Sequence, residues 1–314
     1  MKYHEEEVMI QGHYPIAATL GIPEGEGPFP AVVIVAGSGN GDRDGNLEKA
    51  KLRPNMYRDL AALLAEEGFV TLRGDKRGTG KSGGDFIATG MYDLVEDIQA
   101  LAAYLKDYSK VDRIILLGHS EGCTLIAAAN ADHPVDGLIF LAGGAESLVE
   151  ALKGQRALAR QELMKMKGIK GVLIRLTKTY DKVEKQAEKF NEMILRTEEP
   201  VIKYRLQKIN AKWYREHLRH NVFEDLKKVT CPALAINGST DIQVTPEKAL
   251  DLGKYVKGPA EAYVIEGMNH LLKENRKRAS VLNVMKDYGA DMAKPLHPEL
   301  KRLLQEWLKK YYGE

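Results

Sequence analysis

With 314 residues, 44% of them hydrophobic and 29% charged, the chain can fill one large domain or two modest ones at ~150 residues each, and neither intrinsic disorder nor a low-complexity architecture fits it. Two cysteines, Cys123 and Cys231, are too few for a disulfide scaffold or a cysteine-rich zinc site, and a net charge of +2 argues against a dedicated nucleic-acid binder. No run approaches the ~18 apolar residues of a membrane span, and residues 1–12 are acidic where a signal peptide would be basic and then apolar, so a cytoplasmic protein is expected.

Residues 5–22 read as two antiparallel strands split by Gly12-His13-Tyr14-Pro15. The pattern then changes: residues 29–36 (FPAVVIVA) form a continuous apolar run, the mark of a strand buried on both faces. A helix is expected over 56–67, a strand over 69–73, a helix over 92–108, a strand over 113–117, a helix over 121–131 and a strand over 137–142. Strands alternating with helices of this length predict βαβ units and a mostly parallel sheet covered on both faces. From 146 to 228 the strand signals stop, and the segment reads as several helices rich in Lys, Leu, Met and Glu. Residues 233–237 restart the alternation, followed by a helix over 246–255, a strand over 262–265 and an amphipathic helix over 298–312. The expectation is an α/β core made of residues 1–145 and 229–314. It is interrupted at 146–228 by a helical insertion too long to be an ordinary loop.

The sharpest signal is Gly118-His119-Ser120-Glu121-Gly122, set between a strand and a helix. A serine on a strained strand-to-helix turn has its Oγ exposed at the carboxyl end of the sheet, and the glycines let the backbone turn without side-chain clashes. The next N–H, that of Glu121, sits at a helix N-terminus where negative charge is favoured. Such a serine needs a base, and the base needs a carboxylate to orient it. Asp241 lies just past strand 233–237 and His270 just past strand 262–265, where loops gather at the ligand-binding edge of an open sheet. Of the other histidines, His4 and His13 fall in the N-terminal hairpin, and His133 and His297 in turns before prolines. His119 points off the elbow, away from the Ser120 hydroxyl. His217 and His220, three apart on an insertion helix, could form half a metal site; with no further ligand cluster they are read as surface histidines.

A glycine-rich loop, Gly37-Ser38-Gly39-Asn40-Gly41-Asp42-Arg43-Asp44-Gly45, follows strand 29–36. It is suited to present the Ser38 N–H opposite that of Glu121 as oxyanion donors; the plainer reading is a flexible turn. Neither nucleotide motif holds. Asp42 takes the third glycine position of Gly-x-Gly-x-x-Gly, and Asp75 stands where a phosphate loop around Gly80-Lys81-Ser82 needs its first glycine.

These residues resemble the serine-hydrolase branch of the α/β-hydrolase superfamily over roughly residues 15–145 and 229–312. The likeness rests on the elbow, on the chain order Ser120, Asp241, His270, and on Asp75-x-Arg77-Gly78-x-Gly80-x-Ser82, which looks like the loop after an early core strand in many members. More narrowly, Gly37-Ser38-Gly39 with Asp42-Arg43-Asp44 is similar to bacterial carboxylesterases that carry Gly-Ser-Gly-Pro-x-Asp-Arg-Asp, with Asn40 here in place of the proline. The resemblance implies an α/β-hydrolase fold with a helical cap. It implies Ser120 as nucleophile, His270 as base, Asp241 as its orienting acid, Ser38 and Glu121 as oxyanion donors, and no metal or organic cofactor. The implied activity is a serine carboxylesterase acting on small to medium acyl esters. An acyl thioesterase or a small-peptide hydrolase would use the same residues, and a non-catalytic binding module with a basic cap is the reading from another class. The implied partner is a small acyl ester, with no nucleic acid and no membrane, and a homodimer is left open.

Residues 151–228 hold twenty Lys or Arg against ten Asp or Glu, so this segment carries +10 and the remainder of the chain −8. It could steer an anionic acyl substrate toward Ser120 or contact an acidic partner; the plainer reading is that its lysines cover the solvated faces of amphipathic helices. Leu163, Met164, Met166, Ile169, Leu173, Ile174, Met193, Ile194 and Trp213 would then turn inward and line the acyl pocket.

Overall fold

The computed structural model describes residues 1–47, 51–168 and 179–313. In chain order its strands are β1 (Tyr3–Gln11), β2 (Pro15–Pro23), β3 (Phe29–Val35), β4 (Val70–Gly74), β5 (Val111–His119), β6 (Gly137–Leu141), β7 (Val201–Tyr204), β8 (Gln207–Asn210), β9 (Ala233–Gly238) and β10 (Ala260–Ile265). Its helices are α1 (Met56–Glu66), α2 (Met91–Lys106), α3 (Glu121–Asp132), α4 (Leu148–Lys165), α5 (Thr179–Arg196), α6 (Ala211–Arg219), α7 (Val222–Leu226), α8 (Val284–Asp291) and α9 (Pro298–Tyr312). Eight strands form one sheet in the order β1-β2-β4-β3-β5-β6-β9-β10. β2 pairs antiparallel with β1 and β4, and every neighbouring pair from β4 to β10 is parallel. This is the α/β-hydrolase architecture.

The apolar runs serve two cores at once. In β3, Ala31, Val33 and Val35 pack on one face while Val32 and Ile34 pack on the other; β5 divides Ile114 and Leu116 from Ile115 and Leu117 in the same way. A strand covered on both faces has no polar side to show, so it reads as an unbroken hydrophobic run. One face is covered by α1 and α9 through Leu60, Leu64, Leu304 and Trp307, the other by α2, α3 and α7 through Met91, Ile98, Leu125 and Leu226. The chain leaves β3 for β4 on one side and returns to β5 on the other. The order therefore reverses at β3, and the crevice beyond the carboxyl ends of β3 and β5 is where such sheets bind ligands.

The stretch between β6 and β9 departs most from the sequence reading. α4 opens on a capping box in which the Glu150 N–H donates to Ser147 Oγ at 3.3 Å and the Ser147 N–H donates to Glu150 at 2.9 Å. The expected all-helical segment also contains β7 and β8, an antiparallel hairpin. Its two turn residues, Arg205 and Leu206, both have positive φ, 45° and 68°. A turn of this kind usually announces itself with Asn or Gly, and here it carries neither. Residues 246–254 wind as a 3₁₀ helix, and α8, eight residues long with Gly289 inside it, is too short for periodicity to reveal. Of the apolar residues expected to face inward, Ile194 is buried and Trp213 half-buried, but Met164 is 45% exposed. Ile169, Leu173 and Ile174 lie outside the described residues. Lys153, Lys165, Lys182, Lys185 and Lys189 are exposed on α4 and α5, the solvated faces expected of amphipathic helices. Among the described residues no helix is long and apolar enough to cross a membrane.

Candidate active site

β5 ends at His119 and α3 begins at Glu121, which leaves Ser120 alone between strand and helix. Its backbone has φ 55° and ψ −119°, a conformation that costs a non-glycine residue about 1–3 kcal/mol and persists only where its surroundings over-determine it. They do so here: the Ser120 N–H donates to the Leu141 carbonyl at 2.9 Å, and the Ser120 carbonyl accepts the Cys123 N–H at 3.0 Å. The flanking glycines are required by contact. A Cβ on Gly118 would run into the Gly122 carbonyl, and one on Gly122 into the Val35 carbonyl.

Parallel pairing of β9 with β10 sets the loops that follow them side by side. His270 Nδ1 lies 2.8 Å from Asp241 Oδ2, and Asp241 Oδ1 accepts the N–H groups of Gln243 at 2.7 Å and Val244 at 3.3 Å. Asp241 acts as an acceptor throughout these contacts, so the proton it shares with His270 is placed on Nδ1, and Nε2 is left as the acceptor of the ring. His270, Ser120 and Ser38 line one cavity of about 450 Å³, with Leu47, Met56, Leu271 and Val284 among its apolar walls.

His119 is deeply buried beside them. Nε2 contacts the His270 carbonyl at 2.9 Å and Nδ1 the Tyr57 hydroxyl at 3.0 Å. A carbonyl can only accept, so Nε2 carries the proton and Tyr57 donates to Nδ1; the same hydroxyl accepts the Gly37 N–H at 2.8 Å. Burial, and then the neighbouring His270, push the His119 pKa down to about 3, which keeps the ring neutral. This chain of bonds ties the glycine-rich loop to the loop of His270.

The glycine-rich loop is braced by the residues of its own motif. Asp42 Oδ1 accepts the N–H groups of Asp44 at 3.0 Å and Asn46 at 2.8 Å. Arg43 pairs with Asp75 at 2.9 Å, and Asp44 accepts from Arg73 Nε at 2.8 Å. Asp42-Arg43-Asp44 thus fastens the loop after β3 to β4 and to the loop that follows β4.

Two expectations for the insertion need correction. His217 is not a surface residue: it is 4% exposed, with Nε2 2.9 Å from Glu121 Oε1. His220 is enclosed as well, 2.9 Å from Asp225 and 3.2 Å from the Tyr92 hydroxyl. The reason is that α6 docks a polar face onto the core, where Lys212 donates to Asp93 at 2.6 Å and the Tyr92 N–H donates to Glu216 at 3.0 Å. Trp213 Nε1 donates to the same Glu121 oxygen as His217. Burial alone would raise the Glu121 pKa, but the Lys76 charge and the His217 and Trp213 hydrogen bonds bring it down to about 2. Glu121, Trp213 and His217 line a second cavity of about 240 Å³, which Ser38 and Ser120 also border. Trp213, expected to turn inward, does line this cavity. Lys76 and Tyr57 are the site residues that sequence reasoning missed, and His217 is one that it placed on the surface.

Residues 54–276 match the family described as serine aminopeptidase, S33. Esterase EstD of Thermotoga maritima is 27% identical over 291 residues, covering 92% of this chain and 65% of that protein, so the chain spans just under two thirds of that relative's length. Among solved structures the chain is similar to Est1E from Butyrivibrio proteoclasticus with ferulic acid bound, at 20% identity over 90% of this chain and 96% of that one, with a TM-score of 0.59. It is also similar to the α/β hydrolase GrgF from Penicillium sp. sh18, at 19% identity over 100% of both chains, with a TM-score of 0.60. At those identities the structural likeness speaks to the fold alone.

Proposed function

Since the chain belongs to the hydrolase family described as serine aminopeptidase, S33, we propose that it hydrolyses small to medium carboxylic esters through an acyl-enzyme, with Ser120 as nucleophile, His270 as base and Asp241 as the acid that orients it. The observation that carries this reading is the buried His270–Asp241 contact at 2.8 Å on the wall of a cavity that Ser120 also lines. His270 Nε2 takes the Ser120 proton as Oγ attacks the carbonyl carbon, and the N–H groups of Ser38 and Glu121 receive the oxyanion. Protonated His270 then gives its proton to the leaving alcohol. Water repeats the sequence and releases the acid. Because His270 lines the larger, mostly apolar cavity, the leaving group departs through it, and the acyl part lies toward the smaller cavity beside Glu121 and Trp213. Residues 146–228 act as a cap over that smaller cavity, and residues 1–145 and 229–314 form the catalytic core.

The family's description points to peptides, and the relative from Thermotoga maritima is named an esterase. The cavity walls favour the ester. An aminopeptidase must receive a substrate ammonium group, and the carboxylates among the described lining residues, Asp42, Glu121 and Glu146, are all hydrogen-bonded within the protein already. Cys123 and Cys231 are both free thiols, in keeping with the cytoplasmic location that belongs to the same proposal. A panel of p-nitrophenyl esters, acyl thioesters and amino-acid amides, run with wild type and Ser120→Ala, tests it. Ester turnover by wild type and its loss in the variant are expected. Equal inertness of both proteins would overturn the proposal, and a preference for amides would move it to peptides.

A further inference from the structure

We infer that Lys76 positions the oxyanion loop, and that it does so as one member of a buried ion cluster shared with Glu121 and α6; the inference rests on the hydrolase reading above. The residues after β4 turn back tightly and hold Lys76 from both sides. The Lys81 N–H donates to Asp75 Oδ2 at 3.0 Å, Ser82 Oγ donates to the Asp75 carbonyl at 2.8 Å, and Arg77 forks onto Asp97 at 2.7 and 3.1 Å. From this anchor the Lys76 side chain, 9% exposed, crosses the carboxyl edge of the sheet to the loop after β3. Its ammonium donates to the Gly37 carbonyl and to the Gly39 carbonyl at 3.3 Å, and stands 3.5 Å from Glu121 Oε2.

The Gly37 carbonyl and the Ser38 N–H belong to one peptide plane, and in a trans peptide they point in opposite directions. A cation that draws the carbonyl to itself therefore sets the direction of the N–H. The other side of Gly37 is fixed too, by its N–H on the Tyr57 hydroxyl at 2.8 Å. Gly37 lies so close to the elbow that a Cβ on it would stand 3.0 Å from Ser120 Cβ, so a rotation of this peptide is felt at the nucleophile. The second oxyanion donor is the N–H of Glu121, whose side chain closes the cluster: Lys76 faces one carboxylate oxygen, and His217 and Trp213 bond the other. Both donors thus hang on the same buried pair. A buried ion pair is on average no more stabilising than apolar side chains of the same shape, so stability alone does not account for a lysine here. The grip on a peptide that must point one way does. Lys76 acts through Ser38 and Glu121 and is a positioning residue.

Lys76→Met keeps the length of the side chain and removes the ammonium. On a p-nitrophenyl ester it should lower kcat about 10- to 100-fold, at or below the loss of one oxyanion donor, with KM moving less than about threefold. Inhibition by a trifluoromethyl ketone, whose serine adduct carries the oxyanion, should weaken by the same factor as kcat/KM, while inhibition by the corresponding alcohol, which has no oxyanion, stays unchanged. Lys76→Met combined with Glu121→Gln removes both charges, leaves no lone carboxylate buried, and carries the test if the single variant does not fold; its kcat should remain low. Wild-type kcat in either variant, or equal weakening of both inhibitors, would overturn the inference. An inert wild type would instead overturn the hydrolase reading, and the inference with it.

Discussion

The walls around Ser120 come from two regions that are built differently. On one side are loops leaving parallel strands, held in place by strand burial on both faces and by clamps within the core, such as Arg43 on Asp75 at 2.9 Å and Asp44 on Arg73 at 2.8 Å. On the other is the stretch between β6 and β9, whose helices keep lysines in solvent and meet the site through polar contacts, among them His217 and Trp213 on Glu121 and Gln155 on the Gln243 carbonyl at 2.8 Å. The difference separates two jobs. Over-determined packing fixes the relative placement of Ser120, His270 and Asp241, whereas the insertion, though α7 anchors it in the core through Val222 and Leu226, meets the site itself through polar contacts and can reshape the smaller cavity without disturbing them.

Substitutions can break this comparison, and the largest effects belong to the core. Ser120→Ala should reduce kcat by about 10⁴-fold or more with folding intact. Asp241→Asn, which keeps the shape but presents the wrong tautomer to His270, should cost about 10³- to 10⁴-fold in kcat with little change in KM. Steady-state kinetics checks both, and a loss below tenfold in either would remove the distinction between the regions. On the insertion, His217→Ala takes one hydrogen bond from a buried carboxylate. It should lower stability by about 1–3 kcal/mol in denaturant unfolding while costing far less in kcat than either core change; a core-sized loss of kcat would place α6 inside the machinery.

The last effect touches stability alone and is a matter of pH. His119 has a pKa of about 3 in the fold against 6.5 for the free side chain, so between those values the unfolded chain binds a proton that the native one refuses. Stability therefore falls as pH drops from about 6.5 toward 3, by at most ~1.4 kcal/mol per pH unit from this group. His119→Gln should flatten the stability slope between pH 6.5 and 5, measured by denaturant titration at each pH. An unchanged slope would mean that the fold does not hold His119 neutral.

Much of the core side was legible in the sequence because burial on both faces leaves a local trace. The run from Ala31 to Val35 announces a central strand, and Gly118 and Gly122 mark the close approach that the elbow needs. Asp241 and His270 could be picked out because each follows a strand end. The insertion left less trace. Lys212, Arg215, Glu216, His217 and Arg219 make α6 read as mostly polar, because its buried face turns Arg215 and His217 inward, the latter onto a carboxylate, with Ala211 and Trp213 marking its apolar contact with the core. The β7–β8 turn, made by Arg205 and Leu206, lacks the residues that signal one. Lys76 and Tyr57 were hidden for another reason: their roles depend on β3 lying between β4 and β5, and spatial adjacency is not written in linear spacing. His119 carried a faint signal, a histidine in the last position of a buried strand, next to the serine.

That Ser120 is the nucleophile is tested most directly by intact-protein and peptide mass spectrometry after brief exposure to a fluorophosphonate. The expected result is a single adduct on the peptide carrying Ser120, absent from Ser120→Ala and formed far more slowly in His270→Ala. An adduct on another residue, or equal labelling of Ser120→Ala, would contradict it.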